Sequence, residues 1–272
     1  MLYLAILISI IMLAAFCRWQ NNGIVVTQID YTSKKVPKEF DGFKILHISD
    51  LHNKYFGAGQ KEIAELIDDA KPDIIAITGD IIDKRRGGAA AALQLASRAV
   101  RTAPVYYVPG NHEKSAGVYE KLSARFKACG VFVAANACTD IARNGAKITL
   151  IGIKDDEFFK TDKDYVRKLK MLQKNSPDGF RLLLSHRPEK MDLYAQVGFD
   201  LVLTGHAHGG QFRLPLIGGL YAPHQGIFPK YTSGLYKKDS TSMVVSRGLG
   251  NSGFPLRLFN RPELVVITLR RG

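Results

Sequence analysis

Cysteine is scarce in this 272-residue chain, which holds only Cys17, Cys129 and Cys138. Three thiols cannot build a disulfide framework, and none is spaced as a zinc pair. Cys129 and Cys138 read as buried thiols. Internal repeats, low-complexity tracts and Gly/Ser linkers are missing too, so one folded domain with a short extra segment is expected. Acidic residues are outnumbered, 25 against 38 Lys and Arg, for a net charge of +13. There is no recognised nucleic-acid motif and no basic-aromatic interleaving of the ribonucleoprotein type, so no nucleic-acid partner is expected. The basic excess is concentrated in 230–272, where Lys230, Lys237, Lys238, Arg247, Arg257, Arg261, Arg270 and Arg271 face only Asp239 and Glu263. Such a surface attracts phosphates or anionic headgroups.

No Lys or Arg precedes the apolar run that begins at Leu2, which argues against a cleaved signal peptide. Phe16 stands where a lipoprotein box needs a small residue, so Cys17 is not expected to be lipidated. Residues 2–17 are apolar except Ser9 and the Tyr3 hydroxyl. As a helix the run is about 24 Å long, and Arg18 and Trp19 extend it to an interface. It has no polar face, unlike a core helix. A single-pass transmembrane or signal-anchor helix over 1–20 is therefore expected. Arg18, Lys34, Lys35 and Lys38 follow the span, and the positive-inside rule points to a cytoplasmic domain.

What is present beyond this is 46% hydrophobic and 23% charged residues, a balance that excludes global disorder. Residues 24–29 alternate as an edge strand within a connecting segment, 21–42. Strands over 43–49, 73–78 and 105–108 alternate with helical patterns over 60–70, 89–100 and 119–129. That is the β-α-β order of a sheet covered by helices. The second half is richer in strands, at 131–133, 138–142, 148–153, 180–184, 201–203, 211–214, 242–246 and 264–269, with one helix over 164–173. Asn144-Gly145 marks a tight hairpin. Two packed sheets flanked by helices fit this order.

The chemistry lies where strands end. Asp50-Leu51-His52, Gly79-Asp80-Ile81-Ile82-Asp83, Gly110-Asn111-His112-Glu113, Ser185-His186 and Gly205-His206-Ala207-His208 sit in short loops, most of them after apolar runs. Strand ends are where open α/β sheets bind ligands. Asp80 closes a buried strand, and a buried carboxylate needs a cation. Each block is common alone; their joint occurrence points to a two-metal hydrolytic centre. Hard oxygen with imidazole nitrogen suits manganese, iron or zinc. From residue types alone, His112 is equally a ligand or a catalytic group. His47, inside a strand, reads as core. Asp155, Asp156 and Glu157 read as a solvated turn, Phe158-Phe159 as buried packing, and His224 is not promoted.

These motifs, in this order over 43–269, resemble the calcineurin-like metallophosphoesterase superfamily. The apolar N-terminus and the closing Ser246-Arg247-Gly248-Leu249-Gly250, Pro255-Leu256-Arg257 and Asn260-Arg261-Pro262-Glu263 resemble its membrane-associated bacterial YkuE/YaeI-type phosphodiesterase branch. The resemblance implies a four-layer α/β/β/α sandwich of two mixed β-sheets, with the phosphoesterase domain over 43–272. It implies that Asp50, His52, Asp80 and His208 hold one divalent ion, and that Asp80, Asn111, His186 and His206 hold the other. A water bridging the two ions would attack phosphorus in line. His112 would act as acid or charge stabiliser, oriented by Asp83. Protein phosphatases of this superfamily carry Arg after the second Asp of Gly-Asp-X-X-Asp; here it is Lys84, which lacks the bidentate fork. A phosphodiester or pyrophosphate is therefore expected over a phosphomonoester; the anchor and the basic C-terminal region point to a lipid-linked substrate, and related enzymes imply a UDP-sugar-lipid as one candidate. The alternatives are a phosphomonoesterase or protein phosphatase, a nuclease, and a non-catalytic scaffold.

Overall fold

Strands that are apolar at every position can be buried on both faces. The computed structural model, which describes residues 1–251 and 253–272, is built on such strands. The first half runs α1 (Leu2–Asn22), β1 (Val25–Ser33), β2 (Lys44–Ile48), α2 (Lys61–Ala70), β3 (Ile74–Thr78), α3 (Ala90–Thr102), β4 (Val105–Val108), a single-turn α4 (Asn111–Ser115), α5 (Tyr119–Ala128) and β5 (Phe132–Val133). Then come β6 (Ala137–Arg143), β7 (Ala146–Gly152), α6 (Asp162–Lys174), β8 (Arg181–Leu184), α7 (Met191–Val197) and β9 (Leu201–Thr204). Two small hairpins follow, β10 (Arg213–Leu214) with β11 (Gly218–Gly219) and β12 (Tyr221–Ala222) with β13 (Gly226–Ile227). The chain closes with β14 (Gly234–Lys238), β15 (Thr241–Val245) and β16 (Glu263–Arg271).

One six-stranded sheet has the order β1-β16-β2-β3-β4-β5, and the other β14-β15-β9-β8-β7-β6. Both are mixed: β16 runs antiparallel to β2 in the first, and β14–β15 and β6–β7 are antiparallel in the second. The two-residue period of each strand divides its side chains between layers. Ile74 and Ala76 of β3 and Leu201 and Leu203 of β9 meet in the core between the sheets. Ile75 and Ile77 pack outward with Ile63 and Ile67 of α2 and Leu95 of α3, while Val202 packs outward with Leu169 of α6 and Tyr194 of α7. The result is the expected α/β/β/α sandwich.

Several local expectations are met for identifiable reasons. Asn144 and Gly145 both take positive φ, 49° and 87°, between the paired β6 and β7, as a type I′ turn requires. His47 is buried with Nε2 2.7 Å from Thr78 Oγ1, and burial lowers its ring to about 3. Other expectations need correction. Within 211–214 only Arg213–Leu214 is strand, while α4, α7 and β14 carried too short or mixed a pattern to be read. Cys129 and Cys138 are half-buried, not buried.

The apolar helix α1 stands off the domain, with none of its most apolar stretch buried, and is long and apolar enough to cross a bilayer. Its last two turns are clamped. Phe16 meets Phe259 with ring centroids 5.9 Å apart. Asn21 Oδ1 accepts from the Arg257 backbone N–H at 3.1 Å and from Asn251 Nδ2 at 2.9 Å. The Arg261 guanidinium lies 4.6 Å from the Trp19 ring. Only Gly23 and Ile24 separate α1 from β1, which is an edge of the first sheet.

Candidate metal centre

Every proposed ligand stands just past the C-terminal end of a strand or within a few residues of it: Asp50 and His52 after β2, Asp80 after β3, Asn111 after β4, His186 after β8, His206 and His208 after β9. All seven are buried. Five of them, Asp50, His52, Asp80, His206 and His208, adopt left-handed backbone with φ between 48° and 63°. For a residue with a Cβ this costs on the order of 1–2 kcal/mol, and it turns each side chain back toward one point. The neighbouring loops press close. A Cβ on Gly205 would lie 1.8 Å from Ser49 Oγ and 2.3 Å from Asp50 Oδ2, and one on Gly110 would lie 2.3 Å from Asp80 Oδ1. Only glycine lets these backbones approach the carboxylates.

The side chains converge in two groups that share Asp80. On one side His52 Nε2 lies 3.1 Å from His208 Nε2, and His208 Nε2 lies 3.3 Å from Asp50 Oδ1. His52 Nε2 is also 3.7 Å from Asp80 Oδ2. On the other side His186 Nε2 is 3.2 Å from Asp80 Oδ2 and 3.2 Å from His206 Nδ1. Asp80, His186 and His206 form one possible cation-holding group, and Asp50, His52 and His208 another. Asn111 Oδ1 is buried with no hydrogen-bond partner among the described residues, as expected of an oxygen waiting for a cation. The donor set therefore fits two divalent ions.

Outer contacts set which ring nitrogen carries the proton. His186 Nδ1 donates to the Thr78 carbonyl at 2.6 Å, which frees Nε2 to face Asp80. His206 turns Nδ1 toward His186, and its Nε2 lies 3.0 Å from His224 Nδ1. His112 is the reverse case. Its Nδ1 accepts from the Lys84 backbone N–H at 3.2 Å, so the proton of the neutral ring sits on Nε2, pointing at Asp80 Oδ2 3.9 Å away. Burial, outweighing Asp80, lowers its pKa, so a neutral N–H donor faces the centre. This tautomer presents a proton to the centre, while His52, Asp80 and His112 also form a possible cation-holding group.

Asp83 sits behind two rings, 3.7 Å from His112 Nδ1 and 4.0 Å from His52 Nδ1. Its direct hydrogen bonds go to Arg85, from the backbone N–H at 2.9 Å and from Nε and Nη2 at 3.0 and 2.9 Å. Burial opposes its charge, but these bonds hold the carboxyl down to about 2. Burial likewise opposes charge on Asp50 and Asp80, yet the surrounding histidines hold both below the usual carboxylate range.

Two supporting residues escaped the sequence reading. Glu113 is buried and accepts from the backbone N–H groups of Gly110, Asp80 and Ile81 at 2.7, 3.0 and 2.8 Å. It thereby ties the Asp80 loop to the Asn111 loop. The signal was there, since an acidic residue three positions after a helix N-cap is a capping-box pattern. Arg187 is the second. It is buried and donates to Asp155 at 2.6 and 2.9 Å, and its Nη1 reaches His206 Nε2 at 3.2 Å and His224 Nδ1 at 2.8 Å. The acidic run is accordingly not a solvated turn: Asp155 is buried, and Asp156 and Glu157 also pair with Arg187. Removing one member of such a buried pair costs about 3–5 kcal/mol. His224, not singled out, stands beside the proposed ligand His206. Phe158 and Phe159 pack, half-buried, against Tyr119 and Tyr165.

A fold of two mixed sheets with carboxylate, amide and imidazole groups gathered at their strand ends defines a dinuclear-type metallophosphoesterase. The family model for calcineurin-like phosphoesterases matches residues 43–210, and the chain belongs to that family. It is a hydrolase of phosphoric ester bonds, and members of this family use a dinuclear metal site. Among its relatives is the metallophosphoesterase YkuE of Bacillus subtilis, 33% identical, with 91% of this chain and 86% of that protein aligned. Phosphodiesterase YaeI of Escherichia coli is 30% identical over 84% of this chain and 82% of its own length. A Danio rerio transmembrane protein with a metallophosphoesterase domain is 26% identical, over 91% of this chain and 57% of that protein. Among solved structures, TT1561 of Thermus thermophilus shares the fold with a TM-score of 0.51 at 15% identity, over 76% of this chain and 90% of that one.

Proposed function

We propose that the chain is a membrane-anchored phosphohydrolase that cleaves a phosphodiester or pyrophosphate bond, in a lipid-linked substrate, with two divalent cations drawn from manganese, iron or zinc. The observation that carries it is Asp80, which lies 3.7 Å from His52 and 3.2 Å from His186 and so stands between both ligand groups. Asp50, His52 and His208 complete one site, and Asn111, His186 and His206 the other. Bound there, the cations supply Lewis-acid charge to the phosphoryl oxygens and lower the pKa of the attacking water. His112 offers Nε2–H to the oxygen that gains charge, and Asp83 holds the turn whose backbone fixes that ring. Lys84 is exposed and Arg85 is committed to Asp83, so the position after Asp83 offers no free guanidinium fork for a monoester. The phosphodiesterase name of the YaeI relative agrees with a diester. The α1 helix and the transmembrane relative support the anchor.

The purified, manganese-loaded full chain is expected to hydrolyse bis-p-nitrophenyl phosphate faster than p-nitrophenyl phosphate. Cleavage of neither overturns the catalytic reading and favours a scaffold, which should also bind metal substoichiometrically. A preference for the monoester overturns the diester assignment.

Metal uptake should also be linked to protons. Burial opposes a charged His186, but Asp80 and Asp50 raise it to about 10 in the metal-free protein. A cation must displace that proton, so affinity should fall as pH is lowered through neutrality, by about tenfold per unit for one proton. Calorimetric titration with Mn²⁺ in buffers of different ionisation enthalpy counts the proton. A pH-independent affinity contradicts the assignment of His186.

A further inference from the structure

The large apolar side chains left in water are not scattered. Outside α1, several gather on the loops that follow the His206–His208 turn: Leu216, Ile217, Ile227 and Phe228 on the two small hairpins, Phe254 and Phe259 on the segment before β16. Ile227 is 74% and Phe228 66% exposed, and Leu216 is fully so. Isolated exposed leucines need no explanation, whereas a contiguous apolar patch does.

These loops form one surface. The Arg213 backbone N–H donates to the Leu258 carbonyl at 3.0 Å, and Phe212 meets Phe254 with ring centroids 4.9 Å apart. A groove of about 470 Å³ lies between 213–218 and Phe259. Phe259 in turn packs on Phe16 of α1. The patch is therefore continuous with the foot of the apolar helix. It is equally continuous with the metal centre: Asn260 Nδ2 donates to the His208 carbonyl at 2.7 Å, and Leu220 N–H donates to the Gly210 carbonyl at 3.1 Å.

We propose that this surface is a membrane-inserting rim, which seats the entrance of the metal centre against anionic headgroups of the same bilayer that holds α1. The proposal rests on reading α1 as a membrane anchor. Three observations name the bilayer as occupant. The helix foot is clamped to the rim and only two residues precede β1, so the domain has no tether on which to stand away from the interface. The exposed side chains are the aromatic and aliphatic types that favour the interfacial zone. Lys230, two positions after Phe228, is exposed beside the patch, and a cation there attracts anionic lipid.

The single tryptophan of the chain makes the test direct. The full chain carrying Trp19→Phe and Phe228→Trp is reconstituted into vesicles of phosphatidylglycerol and brominated phosphatidylcholine in equal parts. A second protein carries Trp19→Phe and Met171→Trp, on the outer face of α6, where Met171 is 43% exposed. The indole at 228 is expected to lose more than about half its emission, as a residue at interfacial depth should, while that at 171 keeps its emission. Co-flotation with the vesicles reads the anchor independently. Co-flotation with an unquenched, water-exposed indole at 228 overturns the rim and leaves the anchor standing. An indole at 228 that is shielded but unquenched shows a second copy of the chain covering the rim, and overturns the proposal as well. Loss of co-flotation overturns the anchor and the rim together.

Discussion

Replacing Asp80 with asparagine is expected to lower kcat by at least about 10³-fold and to reduce bound metal from two ions per chain to one or none. The reason is position. The Asp80 carboxylate is within 4 Å of His52, His112 and His186, so its charge serves both ligand groups. Asp50 cannot replace it, because it faces His52 and His208 and its Oδ atoms accept from the His206 backbone N–H. Asparagine keeps an oxygen for the His112 backbone N–H, which Asp80 Oδ1 accepts at 2.8 Å, so the loop should hold its shape. Elemental analysis beside single-turnover rates separates the outcomes. Two ions per chain with an unchanged rate would falsify the bridging role.

The second large effect belongs to His112→Gln. General acid–base or charge-stabilising groups contribute about 10²–10⁴-fold, and the loss should fall on kcat with KM little changed. Metal content should stay at two, because the ring nitrogen facing the centre carries a proton in the neutral form. That combination distinguishes His112 from its neighbours. A variant that loses rate and metal together would place His112 among the ligands, the reading that residue type alone permitted.

Much of the frame was legible because it is local. The run Ile74–Thr78, apolar but for its last residue and followed by Gly79-Asp80, announces burial on both faces and a carboxylate past the strand end. The Asp50, Asn111, His186 and His206 blocks follow strands too, so their chemistry could be placed at strand ends before any contact was known, but not on a single sheet: Asp50 and Asn111 follow β2 and β4 of the first sheet, His186 and His206 follow β8 and β9 of the second. Helices read best where their amphipathic pattern was long, as in α3 and α6. The short α4 and α7 offered too few turns for a period to emerge. Asp155 was misread because three consecutive acids look solvated; the guanidinium that buries the first of them comes from Arg187, across the fold.

The amino-acid order by itself determined the layered α/β architecture, the ligand types and the apolar helix, since periodicity and side-chain chemistry act over a few residues. The tertiary structure alone decided the rest. Asp50 meets His206 across 156 positions of sequence, and the left-handed backbone that aims both is held by packing around Gly205 that local preference opposes. The tautomer of His112 follows from one backbone N–H at Lys84, and the bracing of Asp80 from Glu113. The joining of the metal centre to an apolar rim at the foot of α1 depends on loops distant in sequence. These are non-local contacts, whose free energy is realised only when the whole chain is folded.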